Sequence, residues 1–167
     1  MDIIALQHED PIKPTPLHVG WKEWCALPEL NVPLIKAKID TGARTSSLHT
    51  LQLDPYKKNN KNYVRFIVDP LQNNPKIYKE CHAEIIDFRH IKNSGGHIEE
   101  RIVIHTPLRM GNQEWPIEIT LTNRNSMRFR MLIGRQALKS HLLINPSKAY
   151  ILKKYSRKSA LCYYESQ

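Results

Sequence analysis

Val32-Pro33-Leu34-Ile35-Lys36-Ala37-Lys38-Ile39-Asp40-Thr41-Gly42-Ala43 is the stretch on which the reading of this chain turns. From Ile35 the residues alternate, with Ile35, Ala37 and Ile39 on one side and Lys36 and Lys38 on the other. A period of two predicts a strand with one buried face. That strand delivers a carboxylate, a small hydroxyl residue and a glycine. The Thr41 hydroxyl can brace a turn by bonding to backbone. Gly42 permits a sharp bend and the close approach of another chain. On its own, Asp-Thr-Gly also describes an ordinary turn with an Asx-type hydrogen bond.

A second segment narrows the choice. Arg130-Met131-Leu132-Ile133-Gly134-Arg135 reads as an apolar strand closed by a glycine, and Gln136-Ala137-Leu138-Lys139 as a short helix. Between the two motifs, Ile91-Lys92-Asn93-Ser94-Gly95-Gly96-His97-Ile98 reads as a glycine-tipped hairpin. Hydrophobic-Asp-Thr-Gly-Ala followed by hydrophobic-hydrophobic-Gly resembles the paired signature of retropepsin-like aspartic proteases, and the hairpin sits where their flap does. With Val19-Gly20-Trp21-Lys22-Glu23-Trp24, Ala37 to His49, Asn93 to His97 and Met131 to Arg135 taken together, the resemblance sharpens. It is to a bacterial retropepsin-like family often labelled "ATP-dependent zinc protease", and it covers about residues 19 to 153.

The resemblance implies an all-β, retropepsin-like closed barrel with one short C-terminal helix and an active site on a homodimer two-fold. Hydrolysis of a peptide by carboxylates needs two of them sharing a proton, because like charges roughly 3 Å apart cannot both ionise. The chain carries one Asp-Thr-Gly, so the chemistry requires Asp40 from each of two copies. Asp40, Thr41 and Gly42 are the expected catalytic residues. Ala43, Arg44, Gly95, Gly96, His97 and Arg101 are expected at the substrate, with Gly95 and Gly96 at the tip of a closing flap.

Arg44 departs from the viral pattern, where a second Asp usually stands. A guanidinium there would repel basic substrates and grip carboxylates. Arg101, Arg65 and His97 could extend that positive character. The plainer reading is that Arg44 and Arg101 pair with neighbours such as Glu99 and Glu100, and that His97 is an exposed hairpin residue. Arg135 reads as structural, although the acidic partner of the matching arginine in those proteases is missing here. The resemblance also implies a functional link to ATP-grasp ligases that add glutamates to a ribosomal protein or other targets, and hence an acidic substrate such as an oligoglutamate-modified peptide.

Composition agrees with an acidic partner: the 167 residues carry a formal net charge of +9 with histidines neutral. Three cysteines without a close pair argue against a disulfide framework and point to a reducing, cytoplasmic setting. No run approaches a membrane helix, and no leader pattern opens the chain. No cofactor or metal is expected. The histidines are scattered, His-Glu-x-x-His and Cys-x-x-Cys are absent, and there is no glycine-lysine phosphate loop.

Along the chain, residues 1 to 18 read as a flexible proline-containing tail, 19 to 153 as the domain, and 154 to 167 as a basic tail outside it. Expected strands are Val19 to Leu27, Thr45 to Leu53, Tyr63 to Asp69, Cys81 to Phe88, Ile98 to His105, Ile117 to Leu121, Arg128 to Ile133, Leu142 to Ile144 and Tyr150 to Leu152. Asp54 to Asn62 reads as a loop. Two alternatives remain at this point: a non-catalytic module of the same fold that binds acidic peptide or RNA, and a metal-dependent protease.

Overall fold

In the computed structural model, which describes residues 15–72, 74–125, 128–138 and 141–166, the alternating stretch becomes strand β3 (Val32–Asp40). Ile35, Ala37 and Ile39 are buried, and Lys38 is exposed. The chain enters through β1 (Leu17–Gly20) and β2 (Lys22–Leu27), followed by a single 3-10 turn, Pro28–Leu30. After β3 come β4 (Ser46–His49), β5 (Leu51–Lys58), β6 (Lys61–Val68), β7 (Lys79–Lys92), β8 (Ile98–Met110) and β9 (Gln113–Thr122). Then follow β10 (Met131–Gly134), helix α1 (Arg135–Leu138), β11 (Leu142–Asn145) and helix α2 (Arg157–Glu165).

Nine strands form one sheet in the order β2-β3-β10-β4-β9-β8-β7-β6-β5. Because β2 also pairs with β8, at Ala26 and Arg109, six of these strands run in a ring around the main core. Phe66, Leu48, Ile104, Leu108, Ile119, Met131 and Ile133 fill that core with almost no exposure. β1 and β11 form a separate parallel pair.

Several expected elements differ from those observed. The segment Asp54 to Asn62, read as a loop, is mostly strand. β5 and β6 form a hairpin with Lys58 opposite Lys61, and the turn is Asn59-Asn60 with φ of 50° and 60°. Asparagine tolerates left-handed backbone, and two such residues match the twist of a two-residue hairpin. Polarity hid this strand because both of its faces are largely wet. Val19 to Leu27 is broken at Trp21, whose amide donates to the Lys148 carbonyl. Thr45 to Leu53 is likewise two strands, β4 and β5, broken at Thr50, whose amide donates to the Thr122 carbonyl.

Tyr150 to Leu152 is not a strand. The Ile151 and Leu152 amides donate to the buried Glu23 carboxylate instead of to another strand, at 2.7 and 3.4 Å. The region 154–167, read as a tail, carries α2, begun by a reciprocal Ser156–Ser159 capping box. Its Ala160 and Tyr164 pack on Leu34 and Leu71, and the Tyr164 hydroxyl donates to the Leu34 carbonyl. Leu34 shares the outward parity of Lys36 and Lys38, so α2 supplies the apolar cover that this end of β3 needs. Leu17 and His18, at the edge of the expected N-terminal tail, already lie in β1; residues 1–14 lie outside the described ones.

Candidate active site

β3 and β10 run parallel, with Ile39 opposite Ile133 and Asp40 opposite Gly134. This brings the two motifs that stand far apart in sequence to one end of the sheet. Asp40 is half-buried there, while Thr41, Gly42 and Arg44 are exposed. The Asp40 Oδ1 accepts from the Gly42 and Ala43 amides at 3.1 and 3.2 Å, an Asx-type turn. The carboxylate is thus oriented by its own loop. Its other oxygen takes no part in that turn.

α1 clamps the same loop. The Arg135 and Gln136 amides donate to the Ala43 and Arg44 carbonyls at 2.8 and 3.1 Å. The Arg135 guanidinium donates to the Thr41 and Gly42 carbonyls at 2.9 and 3.1 Å. The structural reading of Arg135 therefore has a concrete basis: backbone carbonyls replace the missing acidic partner.

Gly134 is fixed by close approach. A Cβ there would lie 2.6 Å from the Thr45 carbonyl carbon and 2.9 Å from the Ser46 amide nitrogen. Both are backbone atoms of the segment that follows the Asp40 turn, so they cannot swing aside as a side chain could. The Gly134 amide also donates to the Ser46 hydroxyl at 3.1 Å. Gly134→Ala is expected to lower unfolding free energy by about 1–3 kcal/mol, as overpacking of a tight contact does. A urea titration checks it; an unchanged midpoint would show that the loop yields freely.

β7 and β8 form the long expected hairpin, and its tip is organised by Asn93. The Asn93 side-chain oxygen accepts from the Gly95 and His97 amides at 2.9 and 3.1 Å. Gly96 adopts φ +83°, which glycine allows without a side-chain penalty. Open space surrounds the position where its Cβ would be.

A cleft of about 750 Å³ lies between the Asp40 loop and the hairpin arms. Gly42, Ala43, Arg44 and Arg101 line it, whereas Asp40 and Thr41 are not among its lining residues. Gly95, Gly96 and His97 stand at the hairpin tip and are not among its lining residues, and Arg65 pairs with Asp54 and Glu80 on a different part of the sheet. Sequence reading missed Arg89, Lys92 and Gln136 at this cleft. The available signal was the same-face spacing Asp87-x-Arg89, which mirrors Glu99-x-Arg101.

Arg89 and Arg101 face each other across the β7–β8 ladder. Like charges in that position repel, and carboxylates offset the repulsion. Arg89 binds Glu118 at 2.7 Å and Asp87 at 2.8 Å; the Glu118 bond is the main cause that pushes its pKa up. Arg101, only 5% exposed, binds Glu99 at 3.1 Å. The plainer reading of Arg101 as a salt-bridged residue therefore matches its contacts. Arg44 differs: among the described residues no carboxylate lies within ion-pair distance of it.

The donor set does not fit a zinc centre. Among the described residues no three His, Cys, Asp or Glu side chains come together. Burial pushes the Cys25 and Cys81 thiols up to about 12, so they hold their protons rather than offer thiolates. Also among the described residues, no helix is long and apolar enough to cross a membrane.

Comparison with known proteins agrees with this geometry. A protein of Shewanella halifaxensis named "Probable alpha-L-glutamate ligase" is 46% identical over 134 residues, covering 80% of this chain and 29% of its own length. One of the same name from Desulfotalea psychrophila is 43% identical over 141 residues, covering 84% and 30%. The chain thus spans about three-tenths of the length of these curated relatives. The crystal structure of a Legionella pneumophila protein of unknown function is similar at a TM-score of 0.69 and 25% identity, over 81% of this chain and 98% of that one. The model of the family described as retropepsin-like aspartic endopeptidase RimB matches residues 18–155. With its two motifs joined at the β3–β10 ladder and the match running through nearly all of the strands, the chain belongs to the RimB-like family of retropepsin-like aspartic endopeptidases.

Proposed function

We infer that the protein is an aspartic-type peptide hydrolase for acidic peptide segments, with Asp40 of each of two copies activating water. The observation that carries this reading is the Asp40 carboxylate, held by the Gly42 and Ala43 amides of the same loop that lines the cleft through Gly42, Ala43 and Arg44. In a two-fold pair, one Asp40 accepts a proton from water while the other, protonated, donates to the scissile carbonyl oxygen. Thr41 braces the pair, Gly42 leaves room for substrate backbone, and the Gly95-Gly96 tip closes over the peptide and excludes water.

The acidic preference is supported by charge. Arg89 and Arg101 at the cleft already hold carboxylates of the protein, whereas Arg44 and Lys92 have none within ion-pair distance among the described residues, and Arg44, next to the Asp40 turn, is left to grip one from the substrate. The relatives' name adds support. A chain matching about three-tenths of a protein named as a glutamate ligase fits a hydrolase that works on the same glutamate chains. A functional tie to an ATP-grasp ligase and a cytoplasmic setting belong to this reading.

The test is cleavage of a peptide bearing an oligoglutamate tail, measured with and without chelator. Cleavage that disappears with chelator would favour a metal-dependent mechanism, and tight binding without cleavage would favour a binding module. Arg44→Glu should lower kcat/KM on the acidic peptide by about tenfold or more, since it replaces an attraction of about 1.5 kcal/mol or more with repulsion. An equal rate on a neutral peptide would localise the effect to charge recognition; an unchanged rate on the acidic one would remove Arg44 from substrate binding.

A further inference from the structure

A second cavity, of about 360 Å³, lies away from the Asp40 cleft and shares no lining residue with it. It sits where α2 crosses the outward face of β2 and β3. Trp24, Lys36, Arg130, Tyr155, Arg157 and Lys158 decide its chemistry. Four of these are cations, and among the described residues no carboxylate lines the cavity.

Among the described residues, only one of these four cations has a carboxylate partner. Arg130 is held by Asp69 at 2.7 Å, and Asp69 lies 3.7 Å from the buried His49. Lys36, Arg157 and Lys158 have no carboxylate within ion-pair distance among the described residues. Burial first, then repulsion from Lys22 and Arg157, pushes the Lys36 pKa down. Arg157 and Lys158 also open a helix, the end where basic residues are unfavourable and acidic ones are preferred. Local helix chemistry therefore does not account for this crowding of cations.

The walls offer cations and a ring surface. Trp24 Nε1 and Arg130 Nε lie behind them, buried without a hydrogen-bond partner among the described residues. Tyr155 packs edge-on to Trp24 at 5.7 Å, and Lys36 Nζ stands 5.2 Å over the Trp24 ring. Leu71 and Leu161 complete an apolar side. The walls are held from behind: Asp69 binds Arg130 on one side, and the capping box with Tyr164 anchors α2 on the other. Cations beside an aromatic wall fit an acceptor-rich anion carried on a ring or apolar body.

We propose that this cavity is a binding site, separate from the cleft, for a small organic anion whose carboxylate or phosphate meets Lys36, Arg157 and Lys158 while its apolar body lies against Trp24 and Tyr155. The shared chemistry is an oxyanion on a ring, and the two head groups are separated by the test.

The full chain is titrated with phenyl phosphate, phenylacetate, inorganic phosphate and neutral benzyl alcohol. The indole N–H resonance of Trp24 is followed by NMR and assigned through Trp24→Phe. One or both ring anions should shift that resonance, the tighter of the two naming the head group. Inorganic phosphate should bind about tenfold more weakly, for want of the ring contact, and benzyl alcohol at least as weakly. The surface double variant Arg157→Gln with Lys158→Gln should lose about tenfold or more in affinity, and Arg44→Gln should lose none. Failure of both ring anions to shift the Trp24 resonance would overturn the proposal. Equal binding by the double variant, or loss with Arg44→Gln, would do the same.

Discussion

Asp40→Asn should reduce hydrolysis of an acidic peptide by about a thousandfold or more and leave the fold intact. The size follows from removing the group that takes water's proton, a contribution of about 10²–10⁴ in rate, together with the loss of a shared-proton pair. The intact fold follows from geometry. Asparagine keeps an oxygen where Asp40 Oδ1 accepts from the Gly42 and Ala43 amides, so the turn retains its bonds. A denaturation midpoint matching wild type would separate lost chemistry from lost structure. Subunit mixing adds a second reading. If each active site takes one Asp40 from each of two copies, an equal mixture of exchanging wild-type and variant chains should keep about a quarter of wild-type activity, because random pairing yields that share of intact pairs. Retention of half would mean that one chain suffices, and full activity in the pure variant would end the aspartic reading.

Glu23→Ala carries the largest expected loss of stability, about 3–5 kcal/mol. Glu23 is fully buried, and its carboxylate accepts from the amides of Gly20, Ile151 and Leu152. Bonds to a charged acceptor are each worth about 1.5–3 kcal/mol, and removing the acceptor leaves buried donors with nothing to bond to. These bonds tie the end of β1 and the segment after β11 to β2, so the three should loosen together. Hydrogen exchange should show faster exchange at Ile151 and Gly20 than at the core strand amides of Ile104 and Ile119. Glu23→Gln, which keeps one acceptor oxygen, should recover part of the loss. A shift below about 1 kcal/mol in Glu23→Ala would mean that water or backbone readily replaces the carboxylate.

Local pattern was enough wherever one face of an element is apolar and the other polar. The alternation from Ile35 to Ile39, the apolar run closed by Gly134 and the arms of the glycine-tipped hairpin were all legible. Pattern failed where burial did not follow it. β5 has little apolar content because both of its faces meet solvent, and its Asn59-Asn60 turn looks like loop in composition. Tyr150 to Leu152 has strand composition, but its amides are taken by a side chain. Helix α2 has a weak apolar stripe, and its docking depends on a partner, Leu34, some 130 positions away.

At the site, the sequence determined which groups exist: one carboxylate on a small-residue turn, one glycine-closed strand, one hairpin tip and an excess of positive charge. These are properties of residue type and short spacing, which the chain carries wherever it folds. The tertiary structure decided which groups meet and which charges remain available. Only the parallel pairing of β3 with β10 puts Gly134 beside Asp40 and turns Arg135 onto the carbonyls of Thr41 and Gly42. Only the β7–β8 ladder and its neighbours neutralise Arg89 and Arg101 while leaving Arg44 open to the cleft. An ion pair depends on distance in space, and sequence spacing fixes that distance only within a single strand or turn.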